Sequence, residues 1–322
     1  MMITLDRGIK IRGLDLWLDA TRSQPLSFIS HAHQDHVARR QQAIMSPLTA
    51  SLLQKRNIGI KKITRLNFHE PFLLNRVRIE LFPAGHILGS AQILIENEHR
   101  IIYTGDFKLR SSRTAEPAMF KLCDILIMES TFGRPHYIFP PVEESFNQLV
   151  HFIHEAFEQR AIPVLYAYAL GKSQEVIKIL GDSGYTVCVH PMIQQFTEVY
   201  QDSGVRFCNL EPISGNHFYR KVLVLPPHLR RSRLIQQLHR KRTAMLTGWA
   251  MDQGAARRFG VDRAIPFSDH ADFGELLTYV KQVQPRKVYT VHGFPELAAA
   301  LRKIGFSATH LENNRQLRLW ED

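Results

Sequence analysis

Six consecutive residues, "HAHQDH", place His31, His33, Asp35 and His36 with only Ala32 and Gln34 between them. Clustered neutral imidazoles are costly to bury without partners, and a metal ion is the partner that takes several at once. The hexapeptide begins at the end of the apolar run "LSFIS", where a strand gives way to a turn. Residues two apart at a strand end share a side, so His31 and His33 can converge on one ion. Asp35 and His36, past the turn, can reach another. An isolated HxH pair is common by chance, whereas HxHxDH directly after an apolar strand is rare. Further donors lie downstream: His86 in "PAGH", Asp106 in "TGD" and His292 in "VHG". Two ions need about seven side chains with one carboxylate shared, and neutral nitrogen with anionic oxygen suits zinc, manganese being its rival. The set has no thiolate and leaves room for water, which points to hydrolysis rather than to a closed structural site.

The elements that must position these donors are short apolar runs ending in polar residues. "IELFPAGH" ends at His86, "RIIYTGD" at Asp106, "DILIMES" at Glu129 and Ser130, "RAIPFSDH" at His270 and "KVYTVHG" at His292. Each reads as a buried strand whose following loop presents a side chain. Helical spacing lies between them. In "ESFNQLVHFIHEAFEQR", Phe146, Leu149, Val150, Ile153 and Phe157 mark one face, and residues 272–284 and 295–304 are patterned alike. The chain is therefore α/β, with its candidate site at strand ends. Three prolines and a glycine in "GRPHYIFPPVEE" mark a boundary. From there to about residue 250 strands and helices alternate without a second dense donor cluster. The expected organisation is one domain, 1–140 and 251–322, split by an inserted domain, 141–250.

With 322 residues, 44% of them hydrophobic and 22% charged, the chain has the composition of a globular protein with a sizeable core. No apolar run reaches the ~18 residues of a membrane span. The opening "MMITLDRGIKIRGLDLW" lacks the apolar core and cleavage site of a signal peptide. Cys123, Cys188 and Cys208, odd in number and far apart, argue against a disulfide framework and fit a reducing cytoplasm. All three are expected to be buried small hydrophobes. Lys and Arg outnumber Asp and Glu by 41 to 30, a net charge of +11, and a basic chain attracts polyanions, nucleic acid first. Part of the surplus lies in "HLRRSRLIQQLHRKR", residues 228–242, which taken alone reads as a solvated helix face.

In this order, "HAHQDH", "PAGHILGSAQ", "YTGDFK", "LIMESTFG", "FSDHAD" and "VHG" resemble the metallo-β-lactamase-fold nucleases that carry a β-CASP insertion. The motifs span residues 15–293. The likeness is closer still to the short bacterial DNA ligase-associated exonucleases, which share "AYALGK" and a compact cap. The resemblance implies an αββα sandwich with an inserted β-CASP α/β cap, and two zinc ions. His31, His33 and His86 would hold one ion, Asp35, His36 and His292 the other, and Asp106 would bridge them. Asp19 in "LWLDA" matches the acidic residue that orients the metal-binding loop, with Asp15 as the alternative four residues earlier. Glu129 and His270 match a pair in which the histidine protonates the leaving oxygen. A cation pair would lower the pKa of a shared water and neutralise charge gathering on the phosphate. Ser268 and Lys172 would steady phosphate oxygens.

Other histidines have blander explanations. His151 and His154 lie three apart on a helix, away from its apolar face, and "HFIHE" is not HExxH. His69, His99, His136, His217, His239 and His310 have no motif around them and are expected at the surface. His190 ends an apparent cap strand, which keeps a substrate-side role open. Three functions compete. A metal-dependent nuclease leads, acting on DNA or RNA. In the family that the chain resembles, histidine at the position of His292 goes with RNA enzymes, whereas overall likeness favours a DNA exonuclease working in repair, with a ligase and helicase as the expected partners. A thioesterase or lactonase of the same fold is disfavoured by the cap, by "FSDHAD" and by the basic charge. A scaffold without catalysis is disfavoured because every expected ligand position is filled.

Overall fold

Every residue of the strand Ile125–Ser130 is buried, as a strand covered on both faces must be. Ile125 and Ile127 enter a core between two sheets, while Leu126 and Met128 enter a layer of helices. A computed structural model describes residues 2–5, 8–215, 218–311 and 316–318 of the chain. His217, expected at the surface, lies outside the described residues. Two units emerge, one of residues 1–111, 115–136 and 270–322, the other of 112–114 and 137–269.

The first unit holds two seven-stranded sheets. One runs in the order Gln316–Arg318, Met2–Leu5, Ile9–Arg12, Leu16–Leu18, Leu26–Phe28, Gln42–Met45, Lys62–Arg65. The other runs Ala308–His310, Lys287–Gly293, Ile125–Ser130, Arg100–Tyr103, Ala91–Glu96, Val77–Pro83, Phe72–Leu74. Ile9, Ile11, Leu16, Leu18 and Phe28 of the first meet Ile79, Leu81, Ile93, Tyr103 and Ile127 of the second. On the second sheet's outer face, the helices Phe273–Val283 and Glu296–Lys303 bury Leu276, Tyr279, Val280, Leu297 and Leu301. The helix Pro47–Lys55 packs beside the last strand of the first sheet. This is the αββα sandwich that the resemblance implied. Leu16–Leu18, Leu26–Phe28 and Gln42–Met45 run parallel, as do Arg100–Tyr103, Ile125–Ser130 and Lys287–Gly293. Polar loops from the C-terminal ends of these strands gather on one rim of the sandwich.

In the second unit six strands are all parallel, in the order Leu210–Pro212, Thr186–Val189, Lys221–Leu225, Ile162–Tyr166, Lys241–Leu246, Arg263–Ile265. The helix Val142–Glu158 buries Leu149, Phe152, Ile153 and Ala156, so its apolar stripe takes in Phe152 rather than Val150. The expected return to the first domain at residue 251 does not occur. Arg263–Ile265 hydrogen-bonds beside Lys241–Leu246, which keeps residues 251–269 in the second unit until the chain returns at His270. Residues 112–114 also join it, because the Glu175 carboxylate accepts from Ser112 Oγ, Arg113 N and Thr114 Oγ1. The basic stretch 228–242 is not one helix face: it forms the turn Pro227–Arg231, the short helix Arg233–Gln237 and the start of Lys241–Leu246. Cys123 and Cys188 are buried as expected, but Cys208 is exposed. No helix among the described residues is long and apolar enough to cross a membrane.

Candidate metal centre

Asp19 is the hub from which the rim is organised. It follows the strand Leu16–Leu18 in a left-handed conformation, φ 46°, and is almost fully buried. Its carboxylate accepts four hydrogen bonds: from Ser30 N at 2.7 Å, Ser30 Oγ at 2.6 Å, His36 Nδ1 at 2.8 Å and Tyr103 Oη at 2.8 Å. So many donors leave little lone-pair capacity for a metal. Asp15 is exposed and paired with Lys10 at 3.1 Å, so the alternative fails. Burial, then the Asp19 charge, pushes the Tyr103 hydroxyl well above its ordinary pKa, keeping it a donor. Neither Ser30 nor Tyr103 is marked by any ligand-like spacing. Their only sequence signal is adjacency, Ser30 before the hexapeptide and Tyr103 within "YTGD".

The same bonds fix a tautomer. Ser30 spends its proton on Asp19, so at 2.9 Å it accepts from Nδ1–H of His31. The Nε2 lone pair of His31 is thereby turned toward the cluster. Burial, reinforced by His36 and His86, holds the His31 pKa well below its ordinary value. His33 Nδ1 lies 3.0 Å from His31 Nε2 and 3.0 Å from His86 Nε2. A ring nitrogen carries one proton or one lone pair, so it cannot satisfy both neighbours. One cation facing all three nitrogens can, and their spacing is near the ~3.3 Å edge of a ligand tetrahedron at zinc–nitrogen distances of ~2.0–2.1 Å. Ligand atoms of His31, His33, His86 and Asp106 all lie within 4.8 Å of one another. The donor set thus fits a divalent metal.

Asp106 reaches the centre through "TGD", where Gly105 takes φ +56° and a Cβ would lie 2.5 Å from that of Ser30. Only glycine lets this turn press so closely on the hexapeptide. Asp106 Oδ2 lies 3.2 Å from His36 Nε2, 3.6 Å from His31 Nε2 and 4.0 Å from His86 Nε2, a position between both candidate ligand sets. Burial opposes its ionisation, but His36 and His270 hold the carboxyl well below the usual range. At His36 burial is likewise outweighed, and the Asp106 and Asp19 carboxylates raise its proton affinity well above the ordinary value. This field favours any cation between them.

The second ligand set is more open. Asp35 is exposed, with Oδ2 3.9 Å from His36 Nε2. His292 has its ring 5.7 Å from that of His36. It also stands out of its strand: pairing shifts between Glu129/Val291 and Ser130/Gly293, so His292, at φ 51°, is the extra residue of a bulge. Bulges re-aim side chains. Gly293 makes this one feasible, since a Cβ there would meet the Ser130 carbonyl oxygen. Although His292 keeps solvent exposure, crowding by burial and by His36 lowers its pKa.

Glu129 is buried and accepts from Phe107 N at 2.7 Å, from Thr131 Oγ1 and from His270 Nδ1 at 3.0 Å. His270 therefore donates through Nδ1, which leaves Nε2 on the far side of a ring that lies 4.7 Å from that of His86. Arg110 braces it, donating to the His270 carbonyl and pairing with Glu275. Ser268 and Lys172 belong to the second unit. Lys172, expected to add positive charge beside phosphate, is buried, with its Nζ 3.0 Å from Asp269 Oδ1. His190 is a helix cap, its Nδ1 accepting Met192 N–H at 3.2 Å. His151 pairs with Glu155 and His154 with Tyr185.

The sandwich and its rim of imidazoles and carboxylates define a protein of the metallo-β-lactamase type. Residues 257–313 match the family model described as a Zn-dependent metallo-hydrolase RNA specificity domain. A protein of Opitutus terrae named "Probable DNA ligase" is 42% identical across 98% of this chain, which spans about a third (32%) of that relative's length. An "RNase J-like protein" of Methanocaldococcus jannaschii is 26% identical over 73% of this chain and 68% of its own. A crystal structure of a protein of unknown function from Enterococcus faecalis superposes with a TM-score of 0.60 over 91% of this chain and 80% of its own. At 14% identity, that likeness concerns the fold alone. Together these likenesses support a metallo-β-lactamase fold of the β-CASP type for this chain.

Proposed function

We propose that the chain is a metal-dependent nuclease that hydrolyses phosphodiester bonds, acting as an exonuclease on DNA in a repair setting. The observation that carries the hydrolase reading is the convergence of His31, His33 and His86 nitrogens with Asp106 on one point. The proposed cofactor is a pair of zinc ions, one on His31, His33 and His86, the other on Asp35, His36 and His292, with Asp106 between; manganese is the alternative. Such ions supply Lewis acidity and an activated water when bound. The protein's own part is orientation and proton delivery. Asp19 holds His36 and, through Ser30, His31. Glu129 holds His270 through Nδ1, which leaves Nε2 to give a proton to the leaving oxygen. The poor alkoxide leaving group of a phosphodiester makes that proton necessary.

The DNA reading is supported by 42% identity along nearly the whole chain to a relative named as a DNA ligase, which also makes a ligase the proposed partner. The RNA reading is favoured by the description of the family model at residues 257–313 and by the RNase J-like relative. End-labelled single-stranded DNA, duplex DNA and RNA, incubated with purified protein and zinc or manganese, test both. A DNA ladder shortening from one end is expected. Cleavage of RNA alone would replace the DNA reading, and cleavage of neither polymer would overturn the nuclease reading.

A further inference from the structure

Between Asp35 and Glu70 the chain carries no acidic residue, yet it holds Arg39, Arg40, Lys55, Arg56, Lys61, Lys62 and Arg65. The fold of the first unit gathers them. Leaving the turn Gln34–His36, the loop 37–41 is tied to the loop before the edge strand by Arg40 N to Gly59 O at 2.7 Å and Lys61 N to Gln41 O at 2.9 Å. Gln42 then pairs with Lys62 and Met45 with Arg65. Arg39, Arg40, Lys61, Lys62 and Arg65 are all exposed, and none is paired with a carboxylate among the described residues. Lys62 and Arg65 also guard an open sheet edge, and Lys55 suits a helix C-terminus. Arg39 and Arg40 have neither task. From Lys62 to Arg65 the strand climbs about 10 Å toward the rim that carries the hexapeptide, at ~3.3 Å per residue.

We propose that this surface is a track for the phosphodiester backbone, holding the part of the nucleic acid that flanks the bond presented to the metal centre. The inference rests on the nuclease reading and names the side on which its substrate lies: the edge of the first sheet, along which the substrate would run from Arg39, Arg40, Lys61 and Lys62 at the starts of the parallel strands up to Arg65 at the rim. Cations on two loops and a strand edge contact phosphates without reading bases, so the track takes any sequence. It raises affinity for long substrates and leaves the chemistry at the metal centre untouched.

The test uses the full chain with metal and a long phosphorothioate-linked DNA strand, which resists cleavage, so that binding is read apart from catalysis. The quadruple variant Arg39→Gln, Arg40→Gln, Lys61→Gln, Lys62→Gln should bind at least tenfold more weakly at moderate salt. Its dependence of log Kd on log salt should flatten by about 0.7 per lost contact, nearly 3 in all. The two paired variants should each give about half that change, which guards against a single misfolded protein. A control of equal charge change, Arg12→Gln, Arg76→Gln, Lys281→Gln, Lys303→Gln, should bind like the parent. Hydrolysis of a small phosphodiester should be unchanged in all of them. Unaltered binding in the quadruple variant, or an equal loss in the control, overturns the track. A parent that binds the strand yet cuts no natural nucleic acid instead overturns the nuclease reading.

Discussion

The Asp19 carboxylate accepts Nδ1–H of His36 at 2.8 Å across seventeen residues of sequence, and the same group holds His31 through Ser30. Two candidate ligands of different ions are thus aimed by one buried acid. Removing an orienting acid of this kind lowers metal affinity by roughly 10–100-fold. Asp19→Ala should do so in a competition titration with a chromophoric chelator, and Asp19→Asn, which keeps one acceptor oxygen, should lose less. Asp15→Ala, altering an exposed residue paired with Lys10, should titrate like the parent.

His33→Ala and Asp106→Ala remove members of the four-residue donor group His31, His33, His86 and Asp106. Each should lower bound metal and reduce cleavage to background while the far-ultraviolet circular dichroism spectrum stays that of the parent. Chelation of the parent should silence it, and added zinc or manganese should restore it. Cleavage persisting in both variants would contradict a metal mechanism.

The hexapeptide, "TGD" and "VHG" were legible because ligand chemistry restricts residue types at fixed spacing, and the strands because apolar runs ended in those residues. What stayed hidden was tertiary. The sequence marks Lys172 as a positive charge for phosphate oxygens but is silent on Asp269, which the fold sets beside it. His190, at a strand end, keeps a substrate-side role open in the sequence, and only the fold shows that the next helix begins on it. The bulge at His292 breaks the alternation from which its direction would be read. The boundary at residue 250 failed because pairing of Arg263–Ile265 with its neighbour is a property of the sheet, not of local composition. The role of Tyr103 depends on an acid 84 residues away.

His270 is held by Glu129 at 3.0 Å, and its proposed task is to protonate the leaving oxygen. A general acid matters only when the leaving group is poor. His270→Ala should therefore slow cleavage of natural nucleic acid by about 10²–10⁴-fold and barely change hydrolysis of a bis(p-nitrophenyl) phosphate, whose leaving group departs unaided. Equal losses on both substrates would assign His270 to positioning instead. Glu129→Gln should fall between the parent and His270→Ala on the natural substrate, because it keeps an acceptor for Nδ1–H but not the charge.

The three cysteines test the packing of both units at once. Burial, then the Asp124 charge, pushes the Cys123 thiol up to about 12, and burial with Glu211 pushes Cys188 to about 11, each from 9.0. Since the thiolate is the nucleophile, both should resist alkylation at neutral pH while exposed Cys208 reacts. Mass spectrometry after brief treatment with iodoacetamide should find one label on native protein and three after denaturation. The sign of the pH effect follows from the same shifts. A thiol that ionises near 9 when unfolded and near 12 when folded binds its proton more tightly in the native state, so it costs nothing below pH 9. Above that, unfolding releases the proton, and stability declines as the pH rises toward 12. Cys123→Ala should weaken that alkaline decline while opening a small cavity beside Val283, whose carbonyl accepts the Cys123 N–H. Rapid labelling of Cys123 in the native protein would mean that the helix layer over the second sheet is not packed as described.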